Sequence, residues 1–431
     1  MYFEKMKQTV KTFLKRYDML QTELDFLTEA EKLKDTMLSG LKGEPDTLPM
    51  IPTYLTDQGE IPNGKTVAVI DAGGTNFRTA LVTFENNKCI TTMISRSGMP
   101  GVEEPVSWDE FISTVADKIE PMMPFTDFIG FCFSYTAEIT PGMDGKVICI
   151  DKEVVVYGCE GKLVGQSLVE ELERRGYPGK KVVVLNDTVA VQLGGMAKHI
   201  EDGYSAAIGQ VSGTGSNTCC TVPGELIKKL GNNTRNMIIN FEIGMYAGLP
   251  QGYFDRLLDR QSHNPRSKIF EKMTAGVYLG ELCRMMLIQA SADGYLSKEA
   301  GMKAREMDKI DSSVADAWAC NIQLGELAEN QEQQEFIAGI ARYLFERSAY
   351  LMCINLAAML LLTGAGKEET AAVYAEGSLV EKSTYYRPEL ERLIEKYIQK
   401  KMGRKLRFTG FIYPEPSRNA SSADDHSGAG G

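Results

Sequence analysis

Few residues in this chain are suited to building a metal site or a nucleic-acid surface. Only three histidines occur in 431 residues, His199, His263 and His426, and no CxxC or HExxH pair accompanies them. Protein-built zinc sites use such pairs, so we expect none here. Basic residues are fewer than acidic ones, 47 against 58, and form no block. This balance argues against electrostatic binding to nucleic acid and favours small-molecule chemistry.

Signals for export or membrane insertion are also missing. The nine cysteines are odd in number and irregularly spaced, so we predict reduced core thiols rather than a disulfide framework. Charges interrupt residues 1–7, which therefore resemble neither a signal peptide nor an apolar anchor. The longest apolar run, from about Leu351 to Leu362, is broken by Asn355, and no window of the sequence approaches a membrane span. We expect a buried helix there, and a cytoplasmic enzyme.

Two common catalytic motifs are absent. The sequence contains no GxSxG nucleophile elbow, and the segment 364–367 (Gly-Ala-Gly-Lys) is followed by Glu368. It lacks both the spacing and the hydroxyl of a Walker A loop, which excludes P-loop phosphate binding. At 431 residues and 43% hydrophobic content, the chain is long enough for two domains or one bilobal unit.

The most informative segment joins a buried strand to a carboxylate and a glycine turn. Residues 67–70 are apolar and mostly β-branched, which predicts a buried strand, and Asp71 follows directly. Gly73 and Gly74 permit a tight turn whose backbone N–H groups face an anion. An ordinary hairpin would show the same turn, so this motif alone leaves both readings open.

Polar residues follow two further predicted strands. The run 128–133 ends at Ser134, and the strand 181–185 ends at Asn186 and Asp187. Ligands of open α/β sheets gather beyond the carboxyl ends of the strands, so we expect Asp71, Ser134 and Asp187 to converge.

The first glycine turn has a counterpart later in the chain. Residues 213–217 (Gly-Thr-Gly-Ser-Asn) are similar in composition to residues 73–76 (Gly-Gly-Thr-Asn), and both segments follow an apolar run. Two such turns from related halves would hold a nucleotide in the cleft between them. A third strand, 371–376, leads to Gly377 and Ser378, which offer a further nucleotide contact.

Helical patterns fill the remaining chain. Apolar residues recur every three or four positions between Val10 and Leu41, which predicts a packing helix pair. We also predict a helix at about 165–175, a mainly helical region over 274–358 and a helix over 388–400. Residues 420–431 are small, polar and glycine-rich, so we expect a frayed tail.

Taken together, residues 27–400 resemble the hexokinase and glucokinase family. The resemblance rests on motifs that occur in family order: 48–54, 71–78, 130–134, 185–189, 213–217, 240–244, 270–273 and 376–378. It implies an α/β, bilobal, actin-like ATPase (ribonuclease H-like) fold, with two α/β domains around a central cleft. The implied small domain is 60–186 with 406–431, and the implied large domain is 1–59 with 187–405.

The resemblance also implies a reaction and roles for individual residues. The reaction is ATP-dependent phosphorylation of a hexose, glucose by default, at the 6-hydroxyl, the first step of glycolysis, with Asp187 as general base. The implied hexose-binding residues are Ser134, Lys152, Asn186, Asn217, Glu242 and Glu271, and Lys152 also approaches the γ-phosphate. The implied nucleotide-binding residues are Asp71, Gly73, Gly74, Thr75, Asn76, Arg78, Gly213, Thr214, Gly215, Gly377 and Ser378. Mg²⁺ is implied as the partner of ATP, with Asp71 contacting it through water.

Each of these residues also has an ordinary structural explanation when it is considered alone. Asn-Asp-Thr is a common start of a helix, so Asp187 or Thr188 would serve as a cap. Glu242 and Glu271 would be solvated charges, and Lys152 an exposed lysine. Only the joint occurrence of all the motifs in family order favours the kinase.

The sequence departs from the family pattern at three places. Ser134 is followed by Tyr-Thr instead of Phe-Pro, Asp151 precedes Lys152 where threonine is usual, and Ile243 replaces an aromatic residue. Asp151 introduces a further carboxylate near the implied sugar site, and Ile243 should alter packing behind Glu242. The helix that follows the family's adenosine turn has no counterpart after residue 424, so we expect lowered thermal stability.

Two alternative functions remain open at this stage. One is a hexose sensor of the same fold that is catalytically weak or silent, although the presence of Asp187 disfavours it. The other is an actin-like kinase for another sugar. Oligomeric state is not predicted.

Overall fold

The computed structural model describes residues 2–45, 47–56, 63–73, 76–86, 88–150, 154–199, 202–204, 206–232, 234–308, 310–322, 324 and 327–410. Within these ranges the α-helices are α1 (Tyr2–Arg16), α2 (Phe26–Lys42), α3 (Trp108–Ile119), α4 (Val164–Arg174), α5 (Asp187–Lys198), α6 (Tyr253–Gln261), α7 (Ile269–Thr274), α8 (Gly276–Ala292), α9 (Lys298–Glu306), α10 (Ser312–Ala319), α11 (Gln331–Thr363), α12 (Ser378–Glu381) and α13 (Tyr386–Leu393). The strands are β1 (Ile51–Pro52), β2 (Thr66–Gly73), β3 (Asn76–Glu85), β4 (Lys88–Gly98), β5 (Val106–Ser107), β6 (Phe128–Phe133), β7 (Thr136–Ile139), β8 (Gly145–Cys149), β9 (Val156–Tyr157), β10 (Lys181–Leu185), β11 (Ala206–Ser212), β12 (Ser216–Val222), β13 (Met237–Asn240), β14 (Ala371–Glu376) and β15 (Leu406–Gly410).

Two sheets of the same topology organise the chain. The first has the order β10-β6-β2-β3-β4, and the second has the order β15-β14-β11-β12-β13, extended by β1. In each, an antiparallel hairpin comes first (β2–β3 or β11–β12), and two further strands add in parallel beside its first strand. This repetition confirms the predicted pair of related halves. It also brings the carboxyl ends of the parallel strands of each sheet to one edge.

Strand β15 corrects the predicted domain division. Residues 406–431 were assigned to the small domain, but Leu406 pairs with Ala371 and Gly410 with Ala375 in the second sheet. Because β15 occupies the position that β10 holds in the first sheet, residues 406–410 belong with the larger half. Residues 411–431 lie outside the described residues.

The first sheet packs one face on helices α3 and α4. Alternate residues of its strands, such as Ile70 and Phe131, point into a core that contains Trp108 and Leu168. This alternation follows from the two-residue period of a strand. Ser107 caps α3 and forms a capping box with Glu110, which fixes the start of that helix.

The second sheet belongs to the larger core, whose centre is helix α11. This helix has 33 residues, and its most apolar 18-residue window has a mean hydropathy of 1.4. Length and composition would therefore allow it to cross a membrane, and the prediction that no window approaches a span was wrong. The predicted buried helix is nevertheless present, because 89% of that window is buried inside the protein. Core helices of globular domains share these features.

Helix α5 connects the two sheets. It follows β10 directly and packs against β11 and β14 of the second sheet. Two glycines allow this close approach: a Cβ atom on Gly195 would lie 2.1 Å from the ring of Tyr374, and one on Gly209 would lie 2.4 Å from the carbonyl oxygen of Thr188. The packing of α5 therefore fixes its first residue, Asp187, between the two halves.

The other helical predictions hold with small shifts. The N-terminal pair is α1 and α2, separated by residues 17–25, and the side chain of Asp25 caps α2. The helix predicted at 165–175 is α4, and the region 274–358 contains α8, α9, α10 and most of α11. The segment predicted as a helix at 388–400 is α13 followed by a π-helical stretch, Ile394–Lys401. All nine cysteines are free thiols.

Candidate active site

Residues 73–76, the predicted first phosphate turn, connect β2 to β3. Gly73 pairs with Asn76 across the turn, and a Cβ atom on Gly73 would lie 3.4 Å from Asp71 Oδ1 and 3.5 Å from Ser134 Oγ. Glycine therefore leaves room beside both side chains. Asn76 and Arg78 are exposed. Two of the predicted turn residues, Gly74 and Thr75, lie outside the described residues.

Asp71 lies next to charges of both signs. Its Oδ2 atom is 3.3 Å from Arg78 Nη1, and both side chains are solvent-accessible. Burial of the carboxyl raises the pKa of Asp71, the positive charge of Arg78 opposes this shift, and the negative charge of Asp187 adds to it. Asp71 and Asp187 are therefore within electrostatic reach of each other, as the strand-end argument predicted.

Ser134 completes this side of the site. Its backbone N–H donates to the carbonyl of Ala72 at 3.2 Å, so the chain after β6 stays beside the glycine turn. Cys132, two residues earlier, has its Sγ atom 3.9 Å from Ser134 Oγ. Burial raises the pKa of the Cys132 thiol, and the charges of Asp71 and Asp187 raise it further. The thiol is therefore neutral beside these two carboxylates.

Asp187 is the first residue of helix α5. Asn186 is the N-cap, and its Oδ1 atom accepts the backbone N–H of Thr188 at 2.9 Å. Asp187 Oδ1 accepts the same N–H at 2.7 Å and the Thr188 hydroxyl at 3.1 Å. The segment therefore does cap the helix, but the cap is Asn186 and not Asp187 or Thr188 as considered above. The two hydrogen bonds from Thr188 hold the carboxylate of Asp187 in a fixed orientation at the end of β10.

The predicted second phosphate turn, residues 213–217, meets the turn at Gly377 and Ser378. Gly213 accepts the N–H of Gly276 at 2.7 Å and donates its own N–H to the carbonyl of Gly215 at 2.9 Å. A Cβ atom on Gly213 would lie 3.0 Å from the backbone nitrogen of Ser378. Gly377 has φ 114° and packs so closely against the carbonyl of Ser212 that a Cβ atom would lie 2.5 Å from it. The glycines thus permit the backbones of the two turns to pack directly against each other. Thr214, in the second turn, is exposed to solvent.

Glu242 is held by two asparagines. Its Oε1 atom accepts from Asn240 Nδ2 at 2.7 Å and from Asn217 Nδ2 at 3.2 Å, and Asn217 also donates to Asn240 Oδ1 at 2.8 Å. The backbone of Glu242 is left-handed, with φ 53°. Burial raises the pKa of Glu242, the hydrogen bond from Asn240 opposes this, and the charge of Asp187 adds to it.

Glu271 lies on the short helix α7, next to the second phosphate turn. Its Oε2 atom accepts the backbone N–H of Ser216 at 3.3 Å, and a Cβ atom on Gly215 would lie 2.8 Å from the same oxygen. A Cβ atom on Gly244 would lie 3.2 Å from Glu271 Cβ. Glu271 therefore packs between the phosphate turn and the segment that follows Glu242.

Every described residue predicted for the site lies in one of these adjoining clusters. Charge coupling through Asp187 links the first phosphate turn to the glutamates. Lys152, like its neighbour Asp151, lies outside the described residues.

Comparison with known proteins identifies the family. Two family models, both described as hexokinase, match residues 9–197 and 207–412. The chain belongs to the hexokinase family. The first match ends near the end of α5 and the second begins near the start of β11, so the two matches divide the hexokinase chain close to where its two sheets divide.

Individual hexokinases show the same relationship. The chain is 33% identical over 283 residues to Hexokinase-4, chloroplastic, of Oryza sativa subsp. japonica, a match covering 60% of the chain and 54% of that protein. It is 29% identical over 310 residues to Hexokinase-1 of Saccharomyces cerevisiae, of which it covers 62%. It therefore matches between one half and two thirds of these two relatives. Glucokinase-1 of Kluyveromyces lactis is 27% identical over 438 residues, covering 88% of the chain and 89% of the relative.

The fold is that of a hexokinase. A hexokinase from Schistosoma mansoni complexed with glucose has a TM-score of 0.72, with 21% identity, and covers 95% of this chain and 96% of its own. Another solved structure, also titled hexokinase, has a TM-score of 0.74. The predicted bilobal α/β, actin-like fold is confirmed.

Two residues of the candidate site were not predicted from the sequence. Asn240 is buried and bonds to both Asn217 and Glu242, and Lys268 Nζ lies 3.6 Å from Glu271 Oε1. Asn240 ends a buried strand two residues before Glu242, the same strand-end signal that pointed to Ser134 and Asp187. Lys268 gave no such signal, because a lysine before a short helix is normally solvated.

Ile243, the replacement for the family's aromatic residue, is fully buried in the larger core. The expected change in packing behind Glu242 stays a prediction.

Proposed function

We propose that this hexokinase-family protein transfers the γ-phosphoryl group of MgATP to the 6-hydroxyl of a hexose, with glucose as its principal substrate, and so begins glycolysis. The observation that carries the proposal is the position of Asp187. Its carboxylate lies at the start of α5, within electrostatic reach of Asp71 beside one phosphate turn and of Glu242 among the polar side chains. A general base between a phosphate site and a hydroxyl-binding site is what phosphoryl transfer to an alcohol requires.

Asp187 takes the proton in the proposed reaction. The oxygen of the sugar 6-hydroxyl forms a bond to the γ-phosphorus, and the bond from that phosphorus to the β,γ-bridging oxygen breaks. The hydroxyl proton passes to the carboxylate of Asp187, and ADP leaves with the bridging electron pair. The hydrogen bonds from Thr188 orient the carboxylate before the substrate arrives.

The turns provide the phosphate contacts. Gly73, Gly213 and Gly377 lie at the carboxyl ends of β2, β11 and β14, and backbone N–H groups of glycine turns in such positions bind anions. Asp71 is a single carboxylate beside the first turn, and the described part of the chain contains no group of three His, Cys, Asp or Glu side chains arranged to hold a metal ion. That donor set suits Mg²⁺ arriving with the nucleotide phosphates, with Asp71 contacting it through water. The ion neutralises charge on the transferred phosphoryl group.

The sugar contacts come from the polar clusters. Glu242 and Glu271 accept hydrogen bonds from sugar hydroxyls, and Asn217, Asn186 and Ser134 add donors and acceptors, with Lys152 proposed from the sequence alone. The asparagines already bound to Glu242 hold its carboxylate in place, so less freedom is lost when a sugar binds.

Glu242→Gln tests the sugar site through the pH dependence of binding. Because burial raises the pKa of Glu242, its carboxylate is protonated at a higher pH than an ordinary glutamate, and glucose affinity should fall as the pH is lowered through that range. The variant should bind glucose about 10- to 100-fold more weakly at neutral pH, the cost of a charged hydrogen bond, and should lose this acid-side dependence. Calorimetric titration without nucleotide measures both effects. Glu299→Gln, an exposed carboxylate on α9, is the control, and an unchanged pH profile in Glu242→Gln would contradict the assignment.

The proposed reaction is tested by ADP release from MgATP with a sugar panel. Release that depends on glucose, with smaller rates for mannose and fructose and none without sugar, is the expected result. If glucose raises the thermal midpoint but no sugar yields ADP, the protein is a sensor of the same fold. If a different sugar or polyol gives the highest rate, it is a kinase for that substrate, and glucose is replaced.

A further inference from the structure

One lysine lies among the carboxylates of the sugar site. Lys268 immediately precedes α7, and its side chain is 43% exposed. Its Nζ atom is 3.6 Å from Glu271 Oε1, and Glu271 is fixed from the other side by the N–H of Ser216. The ammonium group therefore lies at the rim of the carboxylate cluster, on the side away from the backbone of the second phosphate turn.

The backbone holds this lysine in an unusual conformation. Lys268 has φ 52° and ψ 43°, in the left-handed region that is rare for residues other than glycine. Its carbonyl accepts the N–H of Lys272 at 3.0 Å, and the buried ammonium of Lys272 is bound to Asp259 at 2.7 Å. Asp259 also accepts the N–H of Arg266. Strained residues that surrounding contacts over-determine cluster at functional sites, and Glu242 shares this conformation.

The charge of Lys268 reaches both glutamates. Helix α7 packs against the turn that follows Glu242, with the N–H of Phe270 donating to the carbonyl of Tyr246 at 3.0 Å. The positive charge of Lys268 counteracts the burial that raises the pKa of Glu242, and it acts in the same direction on Tyr278. The charges of Asp187 and Glu271 also act on Glu242, and Lys268 opposes them there.

We propose that Lys268 is a specificity-determining residue that makes the sugar site discriminate against cationic hexoses, of which 2-amino sugars are the test class. This inference rests on the proposed function of the same site. Three carboxylates alone would attract a protonated amino sugar over a neutral hexose, because opposite charges favour binding. The ammonium group of Lys268, next to Glu271 and within electrostatic reach of Glu242, removes much of that preference and repels a second ammonium group, while it donates a hydrogen bond to a neutral hydroxyl.

The size of the effect follows from Coulomb's law. Two unit charges about 6 Å apart in a partly exposed site interact strongly enough to change a binding constant roughly three- to ten-fold, and added salt weakens the interaction. Lys268 should therefore set a modest but measurable preference.

Lys268→Gln tests the proposal by a ratio of two substrates. We would measure kcat/KM for glucose and for glucosamine at mildly acidic pH, where the amino group is protonated, in wild type, Lys268→Gln and Lys268→Arg. The preference for glucose should fall about three- to ten-fold in Lys268→Gln, less at high salt. It should persist in Lys268→Arg, which keeps the charge. The preference for glucose over uncharged 2-deoxyglucose should not follow this pattern.

Lys303→Gln is the matched control, because Lys303 is also 43% exposed and paired with a glutamate, on α9. The proposal would be overturned if the preference for glucose over glucosamine were the same in wild type and Lys268→Gln. It would also be overturned if Lys303→Gln lowered that preference as much as Lys268→Gln. If wild type turns over no sugar, the proposed function fails, and dissociation constants for the same two sugars test Lys268 separately. Absence of binding by both sugars would overturn both.

Discussion

Asp187→Asn is expected to lower kcat for glucose about a thousand-fold, within the range of 10² to 10⁴ that a general base contributes. Asparagine keeps the shape of the side chain and its carbonyl oxygen still accepts the N–H of Thr188, so α5 should start at the same residue. What it loses is the ability to take the hydroxyl proton. The rate should therefore fall while glucose affinity changes little. Coupled ADP assays and calorimetric titration measure these two quantities.

Asp109→Asn is the matched control for this variant. Asp109 lies in the first turn of α3, as Asp187 lies in the first turn of α5, but it belongs to a helix behind the first sheet. Both changes remove one negative charge near a helix N-terminus, worth at most about 1 kcal/mol at an exposed position. Only Asp187→Asn should abolish turnover. Comparable losses in the two variants, or near-normal turnover in Asp187→Asn, would rule out Asp187 as the base.

Arg347→Met is expected to destabilise the fold by about 3–5 kcal/mol, the cost of leaving a buried charge without its partner. Arg347 lies on α11 and is fully buried, and its Nη1 atom donates to both carboxylate oxygens of Asp255 at 2.9 and 3.0 Å. Nη2 donates to the carbonyl of Met273, which lies in α7, the helix that carries Glu271. The side chain of Asp255 is only 1% exposed. Without Arg347 its carboxylate would lose both hydrogen bonds from Nη1 and would keep the one from the backbone N–H of Gly252. Urea unfolding followed by circular dichroism measures the free energy.

Two further variants separate the buried charge from a general loss of arginine. Arg392→Met removes an exposed arginine that bonds to Glu389 through Nε and Nη2, and should cost no more than about 1 kcal/mol. In Arg347→Met/Asp255→Leu the stranded carboxylate is gone, so the double variant should be more stable than Arg347→Met alone. A double variant at least as unstable as the single one would show that packing around the arginine matters more than its charge.

The local signals of the site could be predicted from the sequence. A buried strand followed by Asp71 and a glycine pair fixes a turn within a few residues, since both the strand period and the glycine preference act locally. The same holds for Asn186 and Asp187 after β10 and for the turn at Gly213. Residues 71, 134 and 187 converge because parallel strands end at one edge of a sheet, a rule that needs no coordinates.

Long-range placement was harder to predict. Strand β15 pairs with β14 across the whole of α13 and the π-helical stretch, and nothing within residues 406–410 specifies which sheet they join. Only the repeated topology of the two halves explains their position. Lys268 could not be predicted as a site residue, because its position near Glu242 depends on the packing of α7 against residues 243–245, which are distant in sequence. The prediction that no window approaches a membrane span was wrong for α11, because the high apolar content of this helix reflects its burial in a large core.

The position of the phosphate on the product tests the central claim most directly. After incubation with MgATP and glucose, phosphorus–proton NMR of the product should place the phosphate on the 6-oxygen alone. In a parallel sample 6-deoxyglucose, which lacks the acceptor hydroxyl, should bind but receive no phosphate. A phosphate on any other oxygen, or phosphorylated 6-deoxyglucose, would contradict the proposed position of Asp187 between the phosphate-binding turns and the sugar-binding glutamates.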